Sequence, residues 1–345
     1  MTKQPLPIPK LSLWQAFRMR LKRRRLLWRS FRSRHALSEV VNRTKSIRPD
    51  DVLVFMTQRN EAERLPYFLQ YYRQLGVSQF LVVDNGSDDG SFELLKDQPD
   101  VSLWQTHSSY RKSRFGVDWL NWLLMRYGHG HWCLTVDADE LLVFAGCDSQ
   151  SLPQLTASLE SSDQQAFGAL MLEVYPDTAL GEQTYIPGQD PTEVLRYMDT
   201  GSYRAVRQSP LGNLWVQGGV RERVFFRDQP QRSPTLNKLP LVRWNRRFAY
   251  VNSTHSILPR RLNQEYDGPG DQRPCGVIIH TKFLPSIVEK SGVEKQRGEH
   301  FGEPKNFESY YDQIAKAPNL WNDASVEYEG WRQLVEVGLM SDLQR

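Results

Sequence analysis

Trp132-Cys133-Leu134-Thr135-Val136-Asp137-Ala138-Asp139-Glu140 sets the frame for the whole chain. An apolar run of buried-strand length ends abruptly in three carboxylates, as a strand does where it leaves a sheet. On extended backbone, residues two apart point the same way, so Asp137 and Asp139 are expected to reach one point in space. Two carboxylates aimed at one point repel unless a cation lies between them. Hard oxygen ligands at this density suit Mg²⁺ or Mn²⁺, ions that commonly accompany a phosphate. Alone the triplet means little, because Asp-x-Asp arises by chance about once in a chain of this size.

The preceding sequence repeats the same design. Val52-Leu53-Val54-Phe55-Met56 is a second buried-strand run, ending at Thr57 to Glu61. Asn60 with Glu63 three residues on reads as a capping box. Leu65, Phe68, Leu69, Tyr72 and Leu75 then make one helical face that Gly76 closes. Phe80-Leu81-Val82-Val83 is a third run, ending at Asp84 and the polar turn Asn85 to Gly90. A short helix from Ser91 to Lys96, a strand from Val101 to Trp104 and a helix carrying Val117, Leu120, Leu124 and Tyr127 complete the alternation. Such alternation calls for an α/β fold with a mostly parallel sheet flanked by helices. Ligands of such sheets bind beyond the carboxyl ends of the strands, so the three acidic strand ends are expected to line one crevice. Neither Gly-x-Gly-x-x-Gly nor a Walker-type lysine loop occurs, which excludes the usual dinucleotide and P-loop fingerprints.

Beyond residue 150 the pattern is mixed. Phe167 to Tyr175, 214–227 and 241–251 read as strands, and helical spacing returns over about 286–340. Four segments follow: a basic arm (1–48), an alternating strand–helix half (49–150), a mixed half (151–285) and a helical end (286–345). The arm holds 14 Lys/Arg against one acid, Glu39, whereas the remainder holds 30 Lys/Arg against 39 Asp/Glu. Leu13, Phe17, Leu21 and Trp28 form a helical stripe among the arm's cations. This composition suits an anionic membrane surface through residues 11–34, a helix packed on the acidic body, or, least of the three, nucleic acid. Three cysteines are too few for a disulfide framework or a thiolate metal site. No apolar run reaches spanning length and no secretory signal core is present, so a cytoplasmic setting is expected, peripheral at the inner face of the plasma membrane if the arm binds there.

Met56-Thr57-Gln58-Arg59-Asn60-Glu61, Leu81 to Gly90 and Leu134 to Glu140 together resemble the family 2-type glycosyltransferases of GT-A fold, closest to the bacterial branch whose first motif reads Arg-Asn-Glu. The resemblance spans roughly residues 50–300. It implies a divalent metal (Mn²⁺ or Mg²⁺), a nucleotide-sugar donor such as a UDP-sugar, and a glycan or lipid-linked acceptor held by the second half. By position it puts Thr57, Arg59 and Glu61 near the nucleoside, Asp84 on the base, and Ser87 and Asp88 beside it. Asp137 would face ribose and metal, Asp139 would ligate the metal, and His280 would complete the metal site. Gly218-Gly219 would form the acceptor loop and Glu222 would serve as the catalytic base, with Asp228, Glu173 and Asp177 as alternatives. His255 is a further candidate for acceptor or phosphate contact, and Trp215 for stacking on a sugar. A metal-dependent phosphoesterase or nucleotidyltransferase, or a degenerate nucleotide-sugar-binding protein, would share much of this pattern.

Overall fold

A computed structural model describes residues 6–270, 273–297 and 310–343. Part of the helical pattern expected near 286–340 therefore lies outside the described residues, as do the first five of the arm.

The apolar runs form the strands they encode. β1 (Ser38–Val41) leads to β2 (Val52–Gln58), α2 (Leu65–Gln74), β3 (Gln79–Asp84), α3 (Ser91–Lys96), β4 (Val101–Gln105), α4 (Val117–Tyr127) and β5 (Trp132–Thr135), with α1 (Leu13–Ser33) preceding them all. β6 (Glu140–Val143), α5 (Leu152–Ser161) and β7 (Ala166–Tyr175) follow, then β8 (Tyr197–Met198), β9 (Arg204–Arg207), β10 (Leu214–Gln217) and α6 (Gly219–Phe225). The chain continues through β11 (Asn237–Arg243), β12 (Ala249–Tyr250), β13 (Ile257–Leu258), β14 (Cys275–His280), α7 (Ile287–Arg297), β15 (Val326–Glu327) and α8 (Trp331–Glu336).

One mixed sheet runs through both halves in the order β1-β4-β3-β2-β5-β11-β7-β14-β6. β4, β3, β2 and β5 are parallel, β7 and β14 are parallel, and β11 enters antiparallel between β5 and β7. The fold is thus α/β, with mostly parallel central strands flanked by helices. From β2 the chain runs outward through β3 and β4, then returns to place β5 on the other side of β2. That reversal opens a crevice at the carboxyl ends of β2 and β5, where open α/β sheets bind ligands. A single apolar core extends from Val52 to Met340, so the two halves share one interior.

Several local readings differ. Asn60 does not begin a helix: it takes a left-handed φ of 55°, and α2 starts at Leu65. The stretch 214–227 is strand only to Gln217, because Gly218 (φ 140°) and Gly219 (φ 69°) turn the chain into α6. Residues 241–251 divide between the end of β11 and β12. α1 is folded onto the body, with Met19 and Leu26 buried against Ala249, Val251 and Leu258. No helix among the described residues is long and apolar enough to cross a membrane.

β7 lies under Tyr266, with no room at Gly168: a Cβ there would stand 2.2 Å from the Tyr266 ring. Gly168→Ala should cost about 1–3 kcal/mol by overpacking, read as a lower denaturant midpoint with unchanged slope. An unchanged midpoint would show that β7 and Tyr266 part without strain.

Candidate functional site

The strand ends meet as expected. A cleft of about 700 Å³ is lined by Thr57 to Glu61 after β2, Asn85, Asp88 and Asp89 after β3, and Asp137 to Asp139 after β5. Arg64, Tyr110, Lys282 and residues of the α7 turn close its walls. The hydroxyl of Thr57 is buried and has no hydrogen-bond partner among the described residues. Gly116, at φ 75°, lets its loop pass Thr57, where a Cβ would come within 3.0 Å of the Thr57 side chain.

Register assembles the cleft floor. His280, the last residue of β14, is paired across the sheet with Glu140 on β6 and Glu173 on β7. Its Nε2 lies 3.1 Å from Asp139 Oδ2, and its Nδ1 3.5 Å from Glu173 Oε1. Glu173 in turn pairs with Arg221 of α6. Thr281 donates its backbone N–H to the Asp139 carbonyl at 2.8 Å, which fixes the Asp139 turn against β14. On the other side, Lys238 of β11 is 2.6 Å from Glu140 Oε1 and 3.9 Å from Asp137 Oδ2. Glu140 also accepts the Asp137 backbone N–H at 3.2 Å.

Charges this close control one another. Burial works to raise the Asp139 pKa, but His280, with Arg64 and Lys282, outweighs it and holds the carboxyl well below its ordinary range. Burial likewise opposes the imidazolium of His280, yet Asp139 and Glu173 raise its pKa above the usual histidine value. Asp137 shows the opposite balance: burial in the cleft and the Glu140 carboxylate push it up to about 7. Some 52% of its side-chain surface faces the open cleft, so water there screens part of that rise. Lys238 stays charged, its pKa raised by Glu140 and Asp137 against burial.

Asp139, Glu140 and His280 bring one ligand atom each within 4.8 Å of one another, a cluster that could hold a metal ion. Two carboxylates and an imidazole fit a divalent cation of the Mn²⁺ type. Glu140 is already paired with Lys238, so of the cluster Asp139 is the residue that lines the cleft, with Asp137 beside it and His280 buried behind it.

The remaining expected residues divide. Arg59, Glu61 and Asp88 line the cleft; Glu61 is held by Arg64 at 2.7 Å and Lys290 at 3.3 Å. Asp88 accepts from Asn60 Nδ2 at 2.7 Å. Asp84 is fully buried and stands behind the wall. It accepts from Gly86 N, Ser87 N, Ser87 Oγ and Gln58 Nε2. It shapes the loop after β3, and Ser87 relays that constraint by accepting the Asn60 N–H at 3.0 Å. Glu222 is not brought to the cleft: Arg204 and the Ser233 hydroxyl take its carboxylate. Asp177, Asp228, Trp215 and Gly218-Gly219 also lie off the cleft wall, and the two glycines pack on Tyr203. His255 donates its Nδ1–H to the Asn237 carbonyl at 2.6 Å, and burial with nearby Lys238 pushes its pKa to about 3. Sequence reading did not single out Arg64, Lys238, Arg221 or Lys282. Lys282 alone carried a signal, two residues beyond His280 on extended chain.

No family model matches this chain, and no curated protein matches it either.

The sign of the His280–Asp139 linkage can be read from stability. With His280 raised, its contribution is fully present below about pH 6.5 and lost as pH rises through the folded value. With Asp139 depressed, its contribution is present above the ordinary carboxyl range and lost as pH falls through the lower folded value. In chelator-treated protein, melting temperature should therefore decline on the alkaline side, and His280→Gln should flatten that limb. A variant keeping the wild-type slope would contradict the pairing. Glu222→Gln should cost at most about 1 kcal/mol, as for a partly exposed pair, read as a small drop in melting temperature; a loss of several kcal/mol would show that the Arg204 pairing is structurally essential.

Proposed function

We propose that the protein is a glycosyltransferase of the family 2 type with a GT-A fold. It would move a sugar from a nucleoside-diphosphate donor, UDP first among the bases, to a hydroxyl of a glycan or lipid-linked acceptor. The observation that supports this reading most is the meeting of three strand ends beside His280: Thr57 to Glu61, then Asn85, Asp88 and Asp89, and Asp137 to Asp139 border one cleft, and His280 stands at 3.1 Å from Asp139.

On this reading Asp139 and His280 hold Mn²⁺ or Mg²⁺, with Asp137 facing it from the open cleft. The bound metal supplies positive charge against the departing diphosphate. Arg59 and Lys282 add cationic side chains to the same wall. Thr57 and Tyr110 line the cleft as well, Tyr110 supplying an aromatic side chain against which the nucleoside would lie. Asp84 acts through the loop it braces rather than by touching the base. The acceptor hydroxyl must lose a proton as it attacks, and the carboxylates on the cleft wall are the groups placed to take it. A single displacement through an oxocarbenium-like state inverts the anomeric centre.

Calorimetric titration with UDP should show Mn²⁺-dependent affinity that Asp139→Ala weakens at least about tenfold. A screen of UDP-, GDP- and dTDP-sugars by product mass spectrometry should identify the donor, with turnover in Asp139→Ala down about 100-fold or more. Metal-independent nucleotide binding, or near wild-type turnover in that variant, would sink the metal assignment. Phosphate release without acceptor would instead favour a phosphoesterase, and pyrophosphate release from a nucleoside triphosphate a nucleotidyltransferase.

A further inference from the structure

α1 has two apolar faces, and only one of them is used. Met19, Leu26 and Ser30 are buried against α4 and the β12–β13 hairpin. Arg29 fastens this side, pairing with Asp118 at 2.5 Å and donating to the Lys112 carbonyl, and Ser33 donates to the Asp118 carbonyl at 3.0 Å. At 3.6 residues per turn, the direction opposite Met19 and Leu26 belongs to Phe17, Leu21 and Trp28, with Leu13 and Trp14 beside them. These five are exposed by 46%, 45%, 61%, 92% and 64% respectively. Trp14 stacks on Phe17 with centroids 5.8 Å apart, and Trp28 on Phe31 at 5.7 Å. The result is a ridge about 22 Å long on the outer side of the helix.

Cations surround the ridge. α1 contains eight Lys or Arg and no acid. Arg18, Arg20, Arg24, Arg25 and Arg32 are exposed along it, and among the described residues Arg29 alone of the eight pairs with a carboxylate. Arg246 and Arg247 on the turn before β12 extend the positive surface. Its crowding is felt at Arg23, whose pKa is lowered by partial burial and by Arg247, Arg24 and Arg20.

We propose that this outer face of α1 is a docking surface for an anionic phospholipid bilayer. Trp14, Phe17, Leu21 and Trp28 would enter the headgroup–acyl boundary while the flanking arginines meet lipid phosphates. Charge complementarity selects this occupant. A second copy of the chain would bring eight more cations against these eight, and protein interfaces keep charge away from their apolar centre. Single-stranded nucleic acid would use the aromatic rings for stacking but has no use for Leu13 and Leu21 in the same ridge. The surface is separate from the cleft, so its test does not depend on the transferase reading.

The test is flotation of the full-length protein with vesicles of phosphatidylcholine alone and of phosphatidylcholine mixed with phosphatidylglycerol. The wild type should bind the mixed vesicles, lose binding as salt rises, and shift its tryptophan emission to the blue. The variant W14A/F17A/W28A removes only exposed rings, so it should melt at an unchanged temperature and partition at least about tenfold less. The variant R18Q/R24Q/R25Q should lose the preference for the anionic lipid. The proposal is overturned if the wild type stays unbound, or if the ring variant binds as the wild type does. It is equally overturned if a single-stranded RNA oligonucleotide is bound and vesicles do not displace it, or if the rings serve only to hold a dimer in sedimentation.

Discussion

Buried charge compensation holds this site together. The turn between β5 and β6, with β6 and β7, delivers Asp137, Asp139, Glu140 and Glu173 to one floor, where a buried carboxylate left unpaired would be neutralised by a proton. Lys238 from β11, His280 from β14 and Arg221 from α6 pair with them, and Arg64, just before α2, adds positive charge near Asp139 while holding Glu61. Each cation comes from a different part of the chain, and each is positioned by the sheet or by a helix end leaning on it. The acidic floor therefore exists only where the whole sheet is in register. Breaking any one pair exposes the partner as an isolated buried charge, which is far more costly than an unmade surface contact.

The first half of this architecture is legible because its signals are local. Continuous apolar runs such as Val52 to Met56 and Phe80 to Val83 declare doubly covered strands, and Leu65 to Leu75 declares a one-faced helix. Acidic residues at the strand ends follow from the topology. The exceptions are places where tertiary partners take over a local motif. Glu63 has the spacing of a capping-box acid, but Arg64, Lys290 and Ser286 claim its carboxylate, and Asn60 turns to Asp88 instead. The second half is harder because β11 is inserted antiparallel between two parallel groups, and no local pattern announces a neighbour. Lys238 illustrates the cost of that blindness. A lysine within a strand reads as a solvent-facing residue until its neighbours β5 and β7 are known, yet it is buried and paired. Glu222 errs in the other direction: the resemblance offers it as a base, whereas an acid flanked by Arg221 and Arg223 also suits a structural ion pair, and its carboxylate is tied to Arg204 and Ser233.

The amino-terminal helix teaches a related lesson about periodicity. Leu13, Phe17, Leu21 and Trp28 do share a face, as their spacing indicates. Periodicity cannot say which of two apolar faces meets the body, and here the shorter set, Met19 and Leu26, does so. The choice is made by shape and by Asp118, a nearly buried carboxylate on α4 that receives both Arg29 and Arg114.

The placement of His280 has a consequence for biogenesis. Asp139 and His280 stand 141 positions apart in the chain, and β14 must slide between β6 and β7 before they meet. During synthesis the acidic turn leaves the ribosome long before its imidazole does. Until β14 inserts, Asp139 lacks its imidazole, while Arg64 and Lys238, both made earlier, already offer positive charge to the acidic turn. The His280–Asp139 contact is thus the last of these pairs for which both partners exist.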